Sequence, residues 1–286
     1  MKILLTGARG DLPLALIPLL LPDNELVLFD VEPMEAPENC ISIQGDIRDA
    51  GIVCYAMQGC DAVIHTAAYH HEHLANRNED DFYGVNVTGT HNVLRAMMLH
   101  GVKNLVFSSA EAVYGDGMRG LHVMDTETPC IPNNYFGMSK FVSEEMCRFH
   151  ARKCQIHTAI LRYGYFSPVD WHQAGLGRLC NRLDRQDVAQ ANLLALAAVI
   201  AEEFVCETFL IHSAKPFAPE DWPHIEYNPV EVVENYYPGT TELLAHHGLI
   251  VPRIPYLPVI DKAVEMLGYD PQHNFEQFLS ELRRTA

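Results

Sequence analysis

The chain has 286 residues, with 20 Lys and Arg against 37 Asp and Glu and a formal net charge of -17. Such a surface repels nucleic acid and anionic lipid, so any bound phosphate must be held locally by backbone and dipoles. The longest apolar stretches, 12–21 and 193–204, fall short of the about twenty residues that cross a bilayer, so no membrane partner is expected. Eight cysteines without a C-x-x-C pair point to reduced, packed thiols, and no zinc or other metal site is assigned. The N-terminus runs straight into a strand pattern with no signal peptide, which with the thiols leads to the expectation of a cytoplasmic protein.

Lys2–Thr6 is a short apolar run that reads as a buried strand, and 12–21 reads as a helix. Between them Gly7, Arg9, Gly10 and Asp11 form a glycine turn whose bare backbone can approach a diphosphate, with Leu12 in the first helical turn. A Gly-x-x-Gly turn is common in α/β proteins, so its surroundings must sharpen it. The strand 26–29 ends in Asp30, about twenty residues past the glycines, where a carboxylate accepts from both adenosine-ribose hydroxyls and repels a 2′-phosphate. The expected cofactor is therefore NAD, although Arg9 keeps NADP from being excluded.

Strand and helix patterns then alternate: strands at 40–44, 61–65, 103–108, 156–162 and 208–212, and helices at 50–57, 80–100, 134–153 and 187–201. Strands joined by helical crossovers demand a parallel sheet covered on both faces, so the fold class is α/β, a doubly wound parallel (Rossmann) sheet. After Ser213 prolines cluster between short helical patterns ending with 261–267 and 274–284, which predicts a small C-terminal substrate lobe. The expected division is 1–162 for the dinucleotide, with 184–212 completing the sheet, and 163–183 with 213–286 for the lobe.

In order along the chain stand Thr6-Gly7-Ala8-Arg9-Gly10, Asp30, Gly45-Asp46, Asp61 to Ala68, Asn86-Val87-Thr88-Gly89-Thr90, Phe107 to Gly115, Ser139-Lys140, Leu161-Arg162, Asp187-Val188-Ala189 and Leu267 to Pro271. That ordered set resembles the extended short-chain dehydrogenase/reductase family of NAD-dependent sugar epimerases, dehydratases and uronate-type dehydrogenases. The family's third glycine is Pro13 here, a residue suited to a first helical turn. The resemblance implies that Asp46 and Ile47 contact adenine, that Thr66, Ala67, Ala68 and Ser108 line the path of the diphosphate and nicotinamide ribose, that Asn86 holds the strand ends together, and that Lys140 binds the ribose.

Hydride chemistry in that family uses a Ser or Thr, a Tyr and a Lys, with the phenol moving the hydroxyl proton. The residue four before Lys140, one helical turn away, is Phe136, and the serine position is Ala110. Tyr135 is five residues from Lys140, about 140° away on a regular helix, and would serve only if the first turn is distorted. Glu111 occupies the place where family dehydratases carry an acidic residue, and is a candidate for proton transfer or a solvated loop carboxylate. His70 belongs to a histidine-rich loop with His71 and His73 that overlies the nicotinamide end in this family; an imidazole could replace the phenol as base.

The segment after Arg162 is short, like the uronate-dehydrogenase branch, which suggests a small hydroxylated substrate; Arg178, Arg182 and Arg185 could hold the phosphates of a nucleotide sugar, or pair with acidic neighbours. Two readings stand: an NAD-dependent oxidoreductase or epimerase with reorganised acid–base chemistry on a sugar-like compound, and a catalytically silent NAD-binding sensor. In this family the helices 80–100 and 134–153 form a dimer contact, and apolar residues such as Met97, Met98, Leu99, Phe141, Val142 and Met146 lead to the expectation of a homodimer.

Overall fold

The computed structural model describes residues 1–285. In chain order the elements are β1 (Lys2–Thr6), α1 (Asp11–Leu20), β2 (Glu25–Asp30), β3 (Cys40–Gln44), α2 (Ala50–Ala56), β4 (Ala62–His65), α3 (Glu79–Phe82), α4 (Gly89–His100), β5 (Asn104–Ala110), β6 (Val123–Met124) and α5 (Tyr135–Cys154). They continue as β7 (His157–Tyr163), α6 (Trp171–Gly177), α7 (Arg185–Ile200), β8 (Cys206–Ile211), α8 (Trp222–Tyr227), α9 (Pro229–Tyr236), α10 (Thr240–His246), β9 (Leu257–Pro258), α11 (Asp261–Leu267) and α12 (Phe275–Arg284).

Seven strands form one sheet in the order β3-β2-β1-β4-β5-β7-β8, every neighbouring pair parallel. The chain leaves β1 to build one half and returns to β4 to build the other, so a crevice opens between the C-terminal ends of β1 and β4, where such sheets bind ligands. The runs 3–5, 26–29 and 62–64 are apolar throughout rather than alternating because both faces are covered. On one face Leu12, Leu16 and Leu20 of α1 meet Ala191 and Ala195 of α7 and the underside of the sheet; on the other, Val53, Val93, Met97 and Cys147 come from α2, α4 and α5.

Between α3 and α4 the helix does not stay α-helical: Tyr83–Thr88 is a π-helical turn. The wider turn carries Asn86 into the interior, where it is 1 % exposed.

The proline-rich C-terminal region has its own apolar cluster, in which Leu179, Trp222, Val233, Leu244, Phe275 and Phe278 pack together. Gly175 on α6 lies so close to Phe278 that a Cβ would overlap the ring. The region does not extend the main sheet. Instead β9 pairs in parallel with β6, so the segment after β5, which the sequence assigned wholly to the dinucleotide half, is tied to the C-terminal part.

Candidate active site

A cavity of about 870 Å³ runs along the strand ends from the β1–α1 turn to Tyr256 in the C-terminal region. One end is the glycine turn. Gly7 has φ +69°, and a Cβ there would stand 2.8 Å from the Ala67 Cα, so only glycine lets β1 and the loop after β4 close together. Gly10 is the N-cap of α1, whose first free N–H groups belong to residues on the cavity wall. Beneath the turn a chain of hydrogen bonds fixes the strand ends: the Ala67 N–H donates to Thr6 Oγ1 (3.2 Å), and Thr6 Oγ1 bonds His65 Nδ1 at 2.7 Å. His65 Nε2 lies 3.0 Å from Thr90 Oγ1, which donates to the Asn86 carbonyl (2.5 Å). Burial pulls the His65 imidazole down to about 3, so the ring is neutral and its two nitrogens play opposite roles.

Asp30 receives the Arg9 and Glu32 backbone N–H groups at 2.9 and 3.0 Å, and the Arg9 guanidinium pairs with the Glu32 carboxylate. Arg9, whose backbone donates to Asp30, thus has its guanidinium engaged by an acid. Asp46 is held by Arg48 at 2.5–3.0 Å, and that hydrogen bond keeps its carboxyl below the ordinary range. Ile47, Thr66, Ala67 and Ala68 also line the cavity. These residues fit a pyridine dinucleotide: bare backbone and a helix N-terminus where a diphosphate would lie, and a carboxylate at the ribose end.

Asn86, expected to hold the strand ends together near the cofactor, stands behind the cavity wall. Its Oδ1 accepts from the Tyr69 N–H and its Nδ2 donates to the Tyr69 carbonyl and Ser139 Oγ, all at 2.8 Å, so it braces the loop after β4 against α5.

At the other end Lys140, 4 % exposed, donates to the Ser108 carbonyl at 2.6 Å, and burial lowers its amine to about 8. One turn earlier on α5, Phe136 lines the cavity and is 6 % exposed. Tyr135 does not substitute for a phenol there. The Asn134 side chain accepts from the Gly137 N–H, the helix starts regularly, and Tyr135 points to solvent, 47 % exposed and outside the cavity wall. Ala110 lines the cavity beside Ser108 and Ser109, but both hydroxyls are engaged, Ser108 with Tyr163 OH (3.3 Å) and Ser109 with the buried Glu144 (2.5 Å).

Glu111 follows Ala110 into the cavity. Its Oε2 accepts from His212 Nε2 at 3.0 Å and from Tyr256 OH at 2.9 Å, and its Oε1 from Asn181 Nδ2 at 3.3 Å. Its side chain is 12 % exposed, so the solvated-loop alternative is not what the fold builds. His212 is fully buried, and that burial lowers its pKa against the opposing pull of Glu111; a neutral ring donates through Nε2. Gly164 makes room for this arrangement, since a Cβ there would collide with the Asn181 carbonyl and stand 2.5 Å from the His212 ring. Position at a strand's C-terminal end could have singled out His212 from sequence; nothing local marks Tyr256.

His70, His71 and His73 all lie on the wall. His70 and His73 pack edge to face at 4.3 Å, and burial followed by the neighbouring His73 lowers the His70 pKa. His71 meets Tyr165 at 5.5 Å. The arginines considered for a nucleotide sugar stand outside the wall: Arg178 is bonded to the Asn274 carbonyl and Asp184, Arg182 to the Ser167 carbonyl, and Arg185 faces Asp11 at 3.9 Å.

The model of the NAD-dependent epimerase/dehydratase family matches residues 3–169. A uronate dehydrogenase of Pseudomonas putida is 30% identical over 193 residues, 66% of this chain and 69% of that protein. An undecaprenol-linked N-acetylglucosaminyl-diphosphate 4-epimerase of Escherichia coli O157:H7 is 36% identical over 147 residues, 51% of this chain, and the aligned part spans only 43% of the relative. Among solved structures, a short-chain dehydrogenase/reductase superfamily protein of Agrobacterium tumefaciens with bound NAD superposes with a TM-score of 0.75 at 21% identity, covering 100% of this chain and 98% of that one. A glucuronic acid dehydrogenase of Chromohalobacter salexigens gives 0.71 at 22%, covering 100% and 89%.

Proposed function

We propose, for a chain that belongs to the NAD-dependent epimerase/dehydratase family, an oxidoreductase or epimerase for a small sugar-like or polyhydroxylated compound in which Glu111 moves the proton that a phenol ordinarily moves. The observation that carries this is the Glu111 carboxylate itself: set in the cavity, held by three donors from distant parts of the chain, and beside positions where Ala110 and Phe136 remove the usual hydroxyls. The uronate dehydrogenase and diphosphate-linked sugar epimerase relatives support a sugar-like substrate.

The backbone of Gly7, Arg9, Gly10, Asp11 and Leu12 would hold the diphosphate of NAD, Asp30 the adenosine ribose, Asp46 and Ile47 the adenine, and Lys140 the nicotinamide ribose. Bound there, NAD supplies a hydride acceptor. Glu111 takes the proton of the substrate hydroxyl, and His212, Tyr256 and Asn181 keep its carboxylate oriented. Residues 163–183 and 213–286 serve as the substrate lobe, bringing Tyr165 and Tyr256 to the wall. The eight free cysteines fit a reducing, cytoplasmic setting.

The second reading, a silent NAD sensor, is favoured by the engagement of both Ser108 and Ser109 hydroxyls inside the protein. Absorbance at 340 nm with NAD and a panel of aldoses, polyols and uronates separates the two. Wild-type turnover supports the enzyme; NAD binding without turnover, with hydride transfer emerging only in a Phe136→Tyr, Ala110→Ser double variant, assigns the sensor.

We also propose a homodimer through α4 and α5. Met97 is in the core, but Met98, Leu99 and Phe149 are 42%, 65% and 55% exposed. Sedimentation at low micromolar concentration should give twice the chain mass, and Leu99→Glu with Phe149→Glu should give the monomer.

A further inference from the structure

Among the described residues the cavity wall carries four fixed cations, Arg9, Arg48, Arg77 and Lys140, and each is committed. Arg9 pairs with Glu32, Arg48 with Asp46, and Lys140 donates to the Ser108 carbonyl. Arg77 stacks over the Tyr69 ring, 4.9 Å from its centroid. The end beyond Lys140 is built from Glu111, Tyr114, Tyr165, Ser167 and Tyr256, with Glu72 on the adjoining loop. Arg182 lies outside the wall and donates to the Ser167 carbonyl. The buried Lys215 amine also lies outside the wall; among the described residues it has no hydrogen-bond partner, it acts on Glu111 only through space, and burial lowers it to about 8. The donors that hold Glu111, a neutral imidazole, a phenol and an amide, bring no positive charge.

A bound carboxylate or diphosphate at this end would face a carboxylate held only by neutral donors, inside a protein of formal charge -17. We infer that the second ligand of the cavity is an uncharged polyhydroxylated compound, a neutral sugar or polyol, and not an acid sugar or a nucleotide sugar. This rests on the cavity being a sugar-type substrate site as proposed above, and differs from the acid and diphosphate-linked sugars of the uronate dehydrogenase and 4-epimerase relatives. Hydroxyl groups are the complement of such a wall: they donate to Glu111 and accept from Tyr165.

The test is calorimetric titration of the NAD-loaded protein at pH 8 with matched pairs, glucose against glucuronate and galactose against galacturonate, and with UDP. At close range in a partly desolvated site one like-charge contact is worth a factor of about ten or more in affinity, so each neutral member should bind at least about tenfold tighter than its acid. In Glu111→Gln that gap should shrink to within about threefold. Tighter binding of the acids or of UDP overturns the inference, as does binding of neither member of a pair, or a gap that persists in Glu111→Gln. Failure of the proposed chemistry shows differently: sugar binds with the expected preference, and absorbance at 340 nm stays flat.

Discussion

Glu111→Gln separates the proton-moving role of this side chain from its structural one. The amide is nearly the same shape. His212 Nε2 and Tyr256 OH both donate to one oxygen, so the oxygen of the introduced amide can keep both bonds. The other oxygen accepts only the long 3.3 Å bond from Asn181, and turning the Asn181 amide over restores a donor–acceptor pair there. The expected loss of stability is therefore two weakened charge-assisted bonds, about 2 kcal/mol together, read as a modest fall in the urea midpoint. A glutamine cannot take a proton from a hydroxyl. Loss of general base help lowers kcat by roughly 10²–10⁴-fold, about 3 to 5 kcal/mol, with NAD affinity unchanged because no cofactor-end residue touches Glu111. The assay is single-turnover absorbance at 340 nm beside equilibrium unfolding. Retention of turnover within about threefold would refute the role of Glu111, and a stability loss above about 3 kcal/mol would mean that the carboxylate charge holds the fold.

Gly7→Ala should lose at least about 2 kcal/mol of stability and most NAD affinity, since alanine at φ +69° brings Cβ to 2.8 Å from the Ala67 backbone; thermal unfolding and NAD fluorescence titration check this. Glu32→Ala releases the Arg9 guanidinium and should raise the affinity for NADP relative to NAD by about tenfold, and an unchanged ratio would show that Arg9 is not the limiting group. Lys140 is held at about 8 by burial, below its usual 10.5, so between those pH values the unfolded chain binds a proton that the folded chain has released. Stability contributed by this group therefore rises with pH across that window. Urea unfolding of the wild type and Lys140→Met at pH 7.5 and 10 should show the wild type gaining on the variant, and a constant or shrinking difference would contradict the burial.

The parallel sheet was legible because unbroken apolar runs such as 26–29 and 62–64 have no other home than a strand covered on both sides, and β3 lies at 40–44 as expected. Spacing also decided Tyr135: five residues from Lys140, on a helix that starts regularly, it falls on the outer side. What failed to show in the sequence depends on contacts between distant segments. Glu111 meets His212 and Tyr256 across separations of 101 and 145 residues, and no periodicity carries that information. Arg178, Arg182 and Arg185 looked available for phosphate, yet carbonyls and acids of the fold claim all three. The partners of Asn86 were hidden for a related reason. A regular helix is the default reading of 80–100, and the π turn is invisible without the partners that stabilise it.

That turn has a consequence for how the molecule tolerates change. Each residue added to or removed from a helix rotates the flanking segments by about 100° relative to each other. Deleting Val85 would let Glu79 to His100 become an uninterrupted α-helix, with better local geometry than the native one. The same deletion would swing the amide of Asn86 off Tyr69 and Ser139, and its carbonyl off the hydroxyl of Ser143, undoing a junction of three segments. Regularity in this helix is thus opposed by the junction it serves, and a shortened chain would gain helical order while losing the rigidity of the wall around the ligand.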